Sequence, residues 1–124
     1  MKLALIGTGK IIEDALFAME PVETIERTAI FARPHSRAEK LAKQYAIEEV
    51  YTDYEELLEK TEADTVYIGL INSAHYPYAK QALLAGKNVI LEKPFTGFYE
   101  ETKDLEKIAN DKKLFIFEAI TVLH

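Results

Sequence analysis

The feature that most constrains this chain is its opening stretch, K-L-A-L-I-G-T-G-K-I-I, from Lys2 to Ile12. Lys2 to Ile6 is a short apolar run of the length of a buried parallel strand, and it breaks on Gly7-Thr8-Gly9. Ile12, Ala15, Leu16 and Met19 then recur at i, i+3, i+4 and i+7, the spacing of an amphipathic helix. Strand, glycine turn and helix in that order make the first half of a dinucleotide-binding βαβ unit. Gly7 permits the tight turn, and Gly9 has no side chain to hold a pyrophosphate off the backbone. The helix N-terminus adds unpaired N–H groups and a positive dipole end. The third glycine of G-x-G-x-x-G is replaced by Ile12. That glycine serves helix–strand packing more than phosphate contact, so Ile12 predicts a wider helix–sheet gap rather than a lost site. Tight strand-to-helix turns also use glycine for structural reasons alone, and the turn by itself leaves both readings open.

The rest of the chain continues the alternation. Ile25 to Ala32 reads as a second strand stopped by Pro34, and Ser36 with Glu39 forms a capping box for a helix with Ala38, Leu41, Ala42 and Tyr45 inward. Val50-Tyr51 is a short strand candidate, followed by a small helix capped by Asp53 and running to Lys60. Thr65 to Ile71 is a β-branched fourth strand. Asn72 or Ser73 then caps a helix carrying Tyr76, Ala79, Ala82 and Leu83, which Gly86 ends. Asn88 to Leu91 is a fifth strand halted by Pro94, Glu100 to Lys113 a last helix, and Leu114 to Ile120 a sixth strand. Strands alternating with helices at these spacings predict an α/β fold, a doubly wound parallel sheet of about six strands with helices on both faces. Near-continuous apolar strands agree, being buried on both sides. The expected order is 3-2-1-4-5-6, with ligand at the carboxyl ends near the switch point.

Composition narrows the function classes. The chain has 124 residues, enough for one domain, and is 48% hydrophobic and 29% charged, ordinary for a globular core. A formal net charge of −6, spread along the chain, argues against a nucleic-acid surface. With no cysteine there is no disulfide framework or thiolate site, compatible with a reducing compartment. No apolar run approaches the ~20 residues that span a bilayer, and Glu13-Asp14 interrupt the N-terminal run before any cleavage-like site. The expectation is a soluble, cytoplasmic protein without nucleic-acid or membrane partners.

Three stretches offer chemistry. The residue ending strand two meets the adenosine ribose in this fold, and an acid there binds the 2′-hydroxyl of NAD. Here the sequence is Ala32-Arg33-Pro34-His35-Ser36-Arg37. A guanidinium can take a 2′-phosphate bidentately, and Ser36 can add a hydroxyl, so the pattern favours NADP with NAD as the alternative. Arg33 and Arg37 read equally as solvated loop charges when taken alone. Glu92-Lys93-Pro94 follows strand five, and a lysine there can polarise or protonate a substrate oxygen during hydride transfer. A lone lysine after a strand is more often an exposed charge. Asn72 and His75 flank the start of the fourth helix, where a cap and a first-turn residue are the plain alternatives. No His, Asp or Glu pair has metal-site spacing, and there is neither a nucleophile elbow nor a P-loop lysine.

Taken together, G-T-G-K-I at Gly7, A-R-P-H-S-R-A-E-K-L-A at Ala32, V-Y-I-G-L-I-N-S-A-H-Y at Val66, A-L-L-A-G-K-N-V-I-L-E-K-P-F at Ala82 and F-E-A at Phe117 resemble the N-terminal domain of the Gfo/Idh/MocA oxidoreductases. The likeness covers nearly the whole chain, and its A-G-K-x-V-x-x-E-K-P block is the most specific part. The resemblance implies that Gly7, Thr8, Gly9, Lys10 and Ile11 approach the cofactor, and that Arg33, Ser36 and Arg37 occupy the ribose or 2′-phosphate position. It implies that Asn72 and His75, the family's N-x-x-H, lie beside the cofactor with Glu92, and that Lys93 of the E-K-P block is catalytic at the nicotinamide and substrate. Ile12 at the small-residue position and Ile71, where a proline often precedes the asparagine, depart from the pattern.

The family also carries a second α+β domain that binds substrate and supplies an acid or base. The chain stops at His124, where that domain would begin, so it resembles a cofactor domain, residues 1–124, cut from a longer enzyme. The implied reaction is hydride transfer between nicotinamide and a hydroxyl or carbonyl of a sugar or polyol bound through the second domain, in a homo-oligomer at full length. Two rival readings are a non-catalytic dinucleotide-binding regulatory or redox-sensing module and a structural domain that keeps the fold without the ligand. The Glu92-Lys93 pair speaks against the first, and only the bulky Ile12 favours the second.

Overall fold

Short runs of aliphatic and β-branched residues, separated by turn and cap residues, become parallel strands joined through helices. The computed structural model describes residues 2–7, 12, 17, 25–31, 35–69, 72–92 and 99–119. The strands are β1 (Lys2–Ile6), β2 (Glu26–Phe31), β3 (Glu49–Tyr51), β4 (Thr65–Ile68), β5 (Asn88–Glu92) and β6 (Ile116–Ala119). The helices with described bounds are α1 (His35–Tyr45), α2 (Tyr54–Lys60), α3 (Asn72–Leu84) and α4 (Tyr99–Asp111). Ile12 and Phe17, between β1 and β2, are helical as well. The strands form one sheet in the order β3-β2-β1-β4-β5-β6, parallel at every pairing, as the alternation predicts.

From β1 the chain moves outward to β2 and β3, then returns across β1 to β4 and continues to β5 and β6. Crossovers of one hand running in opposite directions place their helices on opposite faces. The packing follows this rule. On one face Leu3, Leu5, Ile30, Tyr67 and Ile90 meet Ile12 and the α1 residues Ala38, Leu41 and Ala42. On the other, Ala4, Ile6, Ala29, Phe31, Val66, Ile68, Val89 and Leu91 meet Tyr54 and Leu57 of α2, Ala79, Ala82 and Leu83 of α3, and Leu105 and Ala109 of α4. Ile12 is fully buried against Leu3, Leu5 and Ile30, so the bulk at the third-glycine position is absorbed as core.

One irregularity redirects a charge. Leu3 pairs with Arg27 but Ala4 pairs with Ala29, so Thr28 is an extra residue in β2. Strand side chains alternate between faces, and the extra residue turns Arg27 to the side of Leu3 and α1. There its guanidinium lies 5.7 Å over the ring of Tyr45.

Helix ends explain most boundaries. Asp53 caps α2 as expected, its Oδ1 accepting from the N–H groups of Glu55 and Glu56 at 3.0 and 3.3 Å. Gly86 ends α3 at φ +85°, with its own N–H on the Leu83 carbonyl and that of Lys87 on Ala82, a Schellman turn. Two other helices make the same turn without glycine. Ala46 has φ +55° with the Ile47 N–H on Ala42 at 2.8 Å, and Lys113 has φ +59° with the Leu114 N–H on Ala109 at 2.8 Å. The last helix therefore stops at Asp111, before the expected Lys113, and β6 begins at Ile116.

Two expected caps lie inside their helices. α1 starts at His35, one residue ahead of Ser36, and α3 starts at Asn72 itself. β4 ends at Ile68 rather than Ile71, because Gly69 leaves the strand while its N–H still bonds the Ile6 carbonyl at 3.0 Å. Among the described residues no helix is long and apolar enough to cross a membrane.

Candidate functional site

A doubly wound sheet binds ligands beyond the carboxyl ends of its strands, where the winding reverses. Here that place lies between β1 and β4. Ile6 pairs with Phe31 on one side and Ile68 on the other, so β1, β2 and β4 finish level, and β5 runs one residue past Leu91, the partner of Ile68. Gly7 continues the chain past β1 at φ +115°, a conformation L side chains rarely adopt. It is buried, and its N–H bonds the Phe31 carbonyl at 2.8 Å. The glycine of the expected turn is thus required by the backbone. Gly69 faces it from the end of β4, and α3 starts three residues later with its N-terminus at this edge. A helix N-terminus presents unpaired N–H groups and a positive dipole end to an anion.

The predicted site residues gather along this edge as far as they are described. Gly7 follows β1, Ser36 and Arg37 lie in the first turn of α1 beyond β2, and Asn72 and His75 lie in the first turn of α3 beyond β4. Glu92 is the last residue of β5, opposite Ala119 of β6. Thr8, Gly9, Lys10, Ile11, Arg33 and Lys93 lie outside the described residues. Sequence reasoning passed over Gly69, which lies inside the apolar run from Thr65 to Ile71.

Behind this edge two tyrosine contacts hold α3, and Pro77 stands between them. The Tyr76 hydroxyl donates to Asp104 Oδ2 of α4 at 2.6 Å, and Lys80 Nζ donates to the Tyr76 oxygen at 3.3 Å. Lys80 also reaches Asp104 Oδ2 at 3.3 Å. The hydrogen bond from Tyr76, helped by Lys80, holds the Asp104 carboxyl below the usual carboxylate range. Its counterpart holds the Lys80 ammonium above the usual lysine range, through Tyr76 first and Asp104 second. On the far side of Pro77 the Tyr54 hydroxyl donates to the Tyr78 carbonyl at 2.8 Å. The rings of Tyr54 and Tyr78 stack at 4.5 Å and 11°, with Phe31 of β2 closing the cluster at 5.6 Å from Tyr54. Burial pushes the Tyr54 phenol well above its ordinary range, so it stays a donor. Tyr76 and Lys80 could be paired from their i, i+4 spacing. Asp104, 28 residues from Tyr76, left no such signal.

The opposite edge differs in charge. A cleft of about 400 Å³ at the amino ends of β2 and β3 is lined by Glu26, Glu48, Glu49 and Glu62 around Arg27 and Tyr45. Those carboxylates would repel a pyrophosphate. Among the described residues no three His, Asp or Glu side chains gather as a metal site would need.

Comparison with known proteins points the same way. Residues 1–119 match the family described as "Oxidoreductase family, NAD-binding Rossmann fold", Gfo/Idh/MocA. A trans-1,2-dihydrobenzene-1,2-diol dehydrogenase from Danio rerio is 31% identical over 97% of this chain and 36% of its own length. A scyllo-inositol 2-dehydrogenase (NADP(+)) from Bacillus subtilis is 28% identical over 97% of this chain and 37% of its own. The crystal structure of a 3-ketoreductase from Actinomadura kijaniata with NADP and TDP-benzene superimposes with a TM-score of 0.90 at 32% identity, covering 95% of this chain and 36% of that one. The chain spans about a third of the length of these relatives.

Proposed function

This chain belongs to the Gfo/Idh/MocA oxidoreductases, matching their NAD-binding Rossmann domain over residues 1–119, and we propose that it binds NADP at the carboxyl edge of its sheet for hydride transfer to or from a sugar or polyol. The observation that carries this reading is the switch point itself. Gly7 at φ +115° follows β1, and the N-terminus of α3 follows the neighbouring strand β4. A residue with a Cβ at Gly7 would strain the turn, and the helix end suits the pyrophosphate.

In this reading Gly7, Thr8, Gly9, Lys10 and Ile11 cradle the pyrophosphate through backbone groups. Arg33 takes the 2′-phosphate in a charge-assisted fork, and Ser36 and Arg37 add donors from the first turn of α1. Asn72, His75 and Glu92 lie beside the nicotinamide half. The bound cofactor supplies the hydride chemistry. The chain's own proton work falls to Lys93, which follows the last residue of β5 and polarises or protonates the substrate oxygen. Relatives that name or hold NADP, the Bacillus enzyme and the Actinomadura structure, support NADP over NAD. The substrate wall would come from a further domain, as the length of the relatives suggests, and assembly as a homo-oligomer would rest on it. The absence of cysteine suits the cytoplasm.

The test is a fluorescence titration of the 124-residue chain with NADPH and NADH. Saturable binding of both with NADPH tighter is expected. Tighter NADH would reject the NADP assignment, and no binding of either would reject the site.

A further inference from the structure

The body of α3 and its first turn are held by different means. Ala79, Ala82 and Leu83 are fully buried, and Tyr54 fixes Tyr78 by stacking and by its hydroxyl. The first turn precedes Pro77, which has no N–H to return to the carbonyl of Ser73. One rung of the helix ladder is therefore missing between the turn that carries Asn72 and His75 and the rest of the helix. Tyr76 stands on the first-turn side of that gap, adjacent to His75, and its hydroxyl is bound by Asp104 and Lys80.

We propose that Tyr76, Asp104 and Lys80 form a positioning cluster that sets the first turn of α3, and with it Asn72 and His75, against the dinucleotide. Asp104 belongs to α4, so the cluster ties α3 to α4. A charge-assisted O–H···O⁻ bond at 2.6 Å is strongly directional. The side chains of Lys80 and Asp104 remain 41% and 38% exposed, and exposed ion pairs add little to global stability. Alignment of the turn is thus what the cluster contributes. The residues act through Asn72 and His75, and the inference rests on the dinucleotide reading above.

Three variants of the chain test it by NADPH titration, with thermal midpoints measured alongside. Tyr76→Phe keeps the ring and removes the hydroxyl, Asp104→Ala removes the acceptor, and Asp104→Asn keeps an acceptor oxygen. The first two should each weaken NADPH by about three- to tenfold at temperatures where the variants are fully folded. Their combination should cost no more than the larger single effect, because both break one unit. Asp104→Asn should recover affinity to within about twofold of the parent, which loss of fold alone would not produce. In the cofactor-free chain, Tyr76→Phe should also shift the backbone amide resonances of residues 72–75. Parent-like NADPH affinity in both Tyr76→Phe and Asp104→Ala, or unmoved amides, overturns the cluster's role. A parent chain that binds neither dinucleotide overturns the functional reading and this inference with it, whereas binding by the parent with unchanged variants overturns the inference alone.

Discussion

The two edges of the sheet are built to opposite ends. At the amino edge, side chains stitch neighbouring strands together. The Lys2 N–H donates to Asp64 Oδ2, and the Asp64 N–H returns to the Lys2 carbonyl. Asn88 donates its Nδ2 to the Asp64 carbonyl and accepts the Phe115 N–H on its Oδ1, which links β4, β5 and β6. Lys87 Nζ reaches the Ala63 carbonyl at 2.7 Å. At the carboxyl edge the described ties are backbone to backbone, from Gly7 to Phe31 and from Gly69 to Ile6. Among the described residues, two glycines and a helix N-terminus stand there. Four carboxylates, those of Glu26, Glu48, Glu49 and Glu62, line the cleft at the amino ends of β2 and β3.

If this division is right, substitutions at the carboxyl edge should change binding or turnover, and those at the amino edge only stability. The largest expected effect is on catalysis. In an enzyme carrying this domain at the length of its relatives, Lys93→Ala should lower kcat by roughly 10²–10⁴-fold with cofactor affinity kept. Steady-state kinetics showing a near-normal kcat would remove Lys93 from proton handling. Next, Gly9→Val in the isolated chain should weaken NADPH by at least about a hundredfold, because the new side chain blocks approach of the phosphates. Circular dichroism should show the fold retained, and binding within twofold of the parent would place the pyrophosphate elsewhere. Arg33→Ala should cost NADPH about ten- to a hundredfold, the usual worth of a charge-assisted contact, and spare NADH. Equal loss of both cofactors would make Arg33 a general anion contact.

The amino-edge changes should be invisible to a cofactor titration. Asn88→Ala deletes two bonds that span three strands and should destabilise the chain by about 1–3 kcal/mol in urea unfolding. A change in NADPH affinity beyond twofold would show that the edges are coupled and break the comparison. The smallest effect should be a gain. Ala46→Gly relieves a left-handed residue and should stabilise by about 1 kcal/mol, less whatever the glycine adds in unfolded-state entropy. Lys113→Gly should behave alike, and a loss of stability in both would mean that these turns carry no strain worth removing.

How much of this was legible in the residues follows from the range of each interaction. The strand order was legible because apolar runs, caps and glycines recur at the spacing of βαβ units, and right-handed crossovers leave few topologies. The Asp53 cap and the Gly86 turn were legible because each is a contact within five residues. Of the predicted site residues, Gly7 and Asn72 stand after strands whose positions the topology sets.

What the tertiary structure alone decided depends on partners far away in the chain. Ala46 and Lys113 accept a left-handed backbone that their side chains disfavour, because the turn carries Ile47 and Leu114 into the cores on opposite faces of the sheet. Thr28 bulges out of register so that Arg27 can reach Tyr45, which no local pattern requires. Tyr76 found Asp104 only once α3 and α4 had packed side by side. Periodicity records which way a side chain faces, whereas the identity of the group it meets is set by the whole sheet, and there the sequence on its own falls silent.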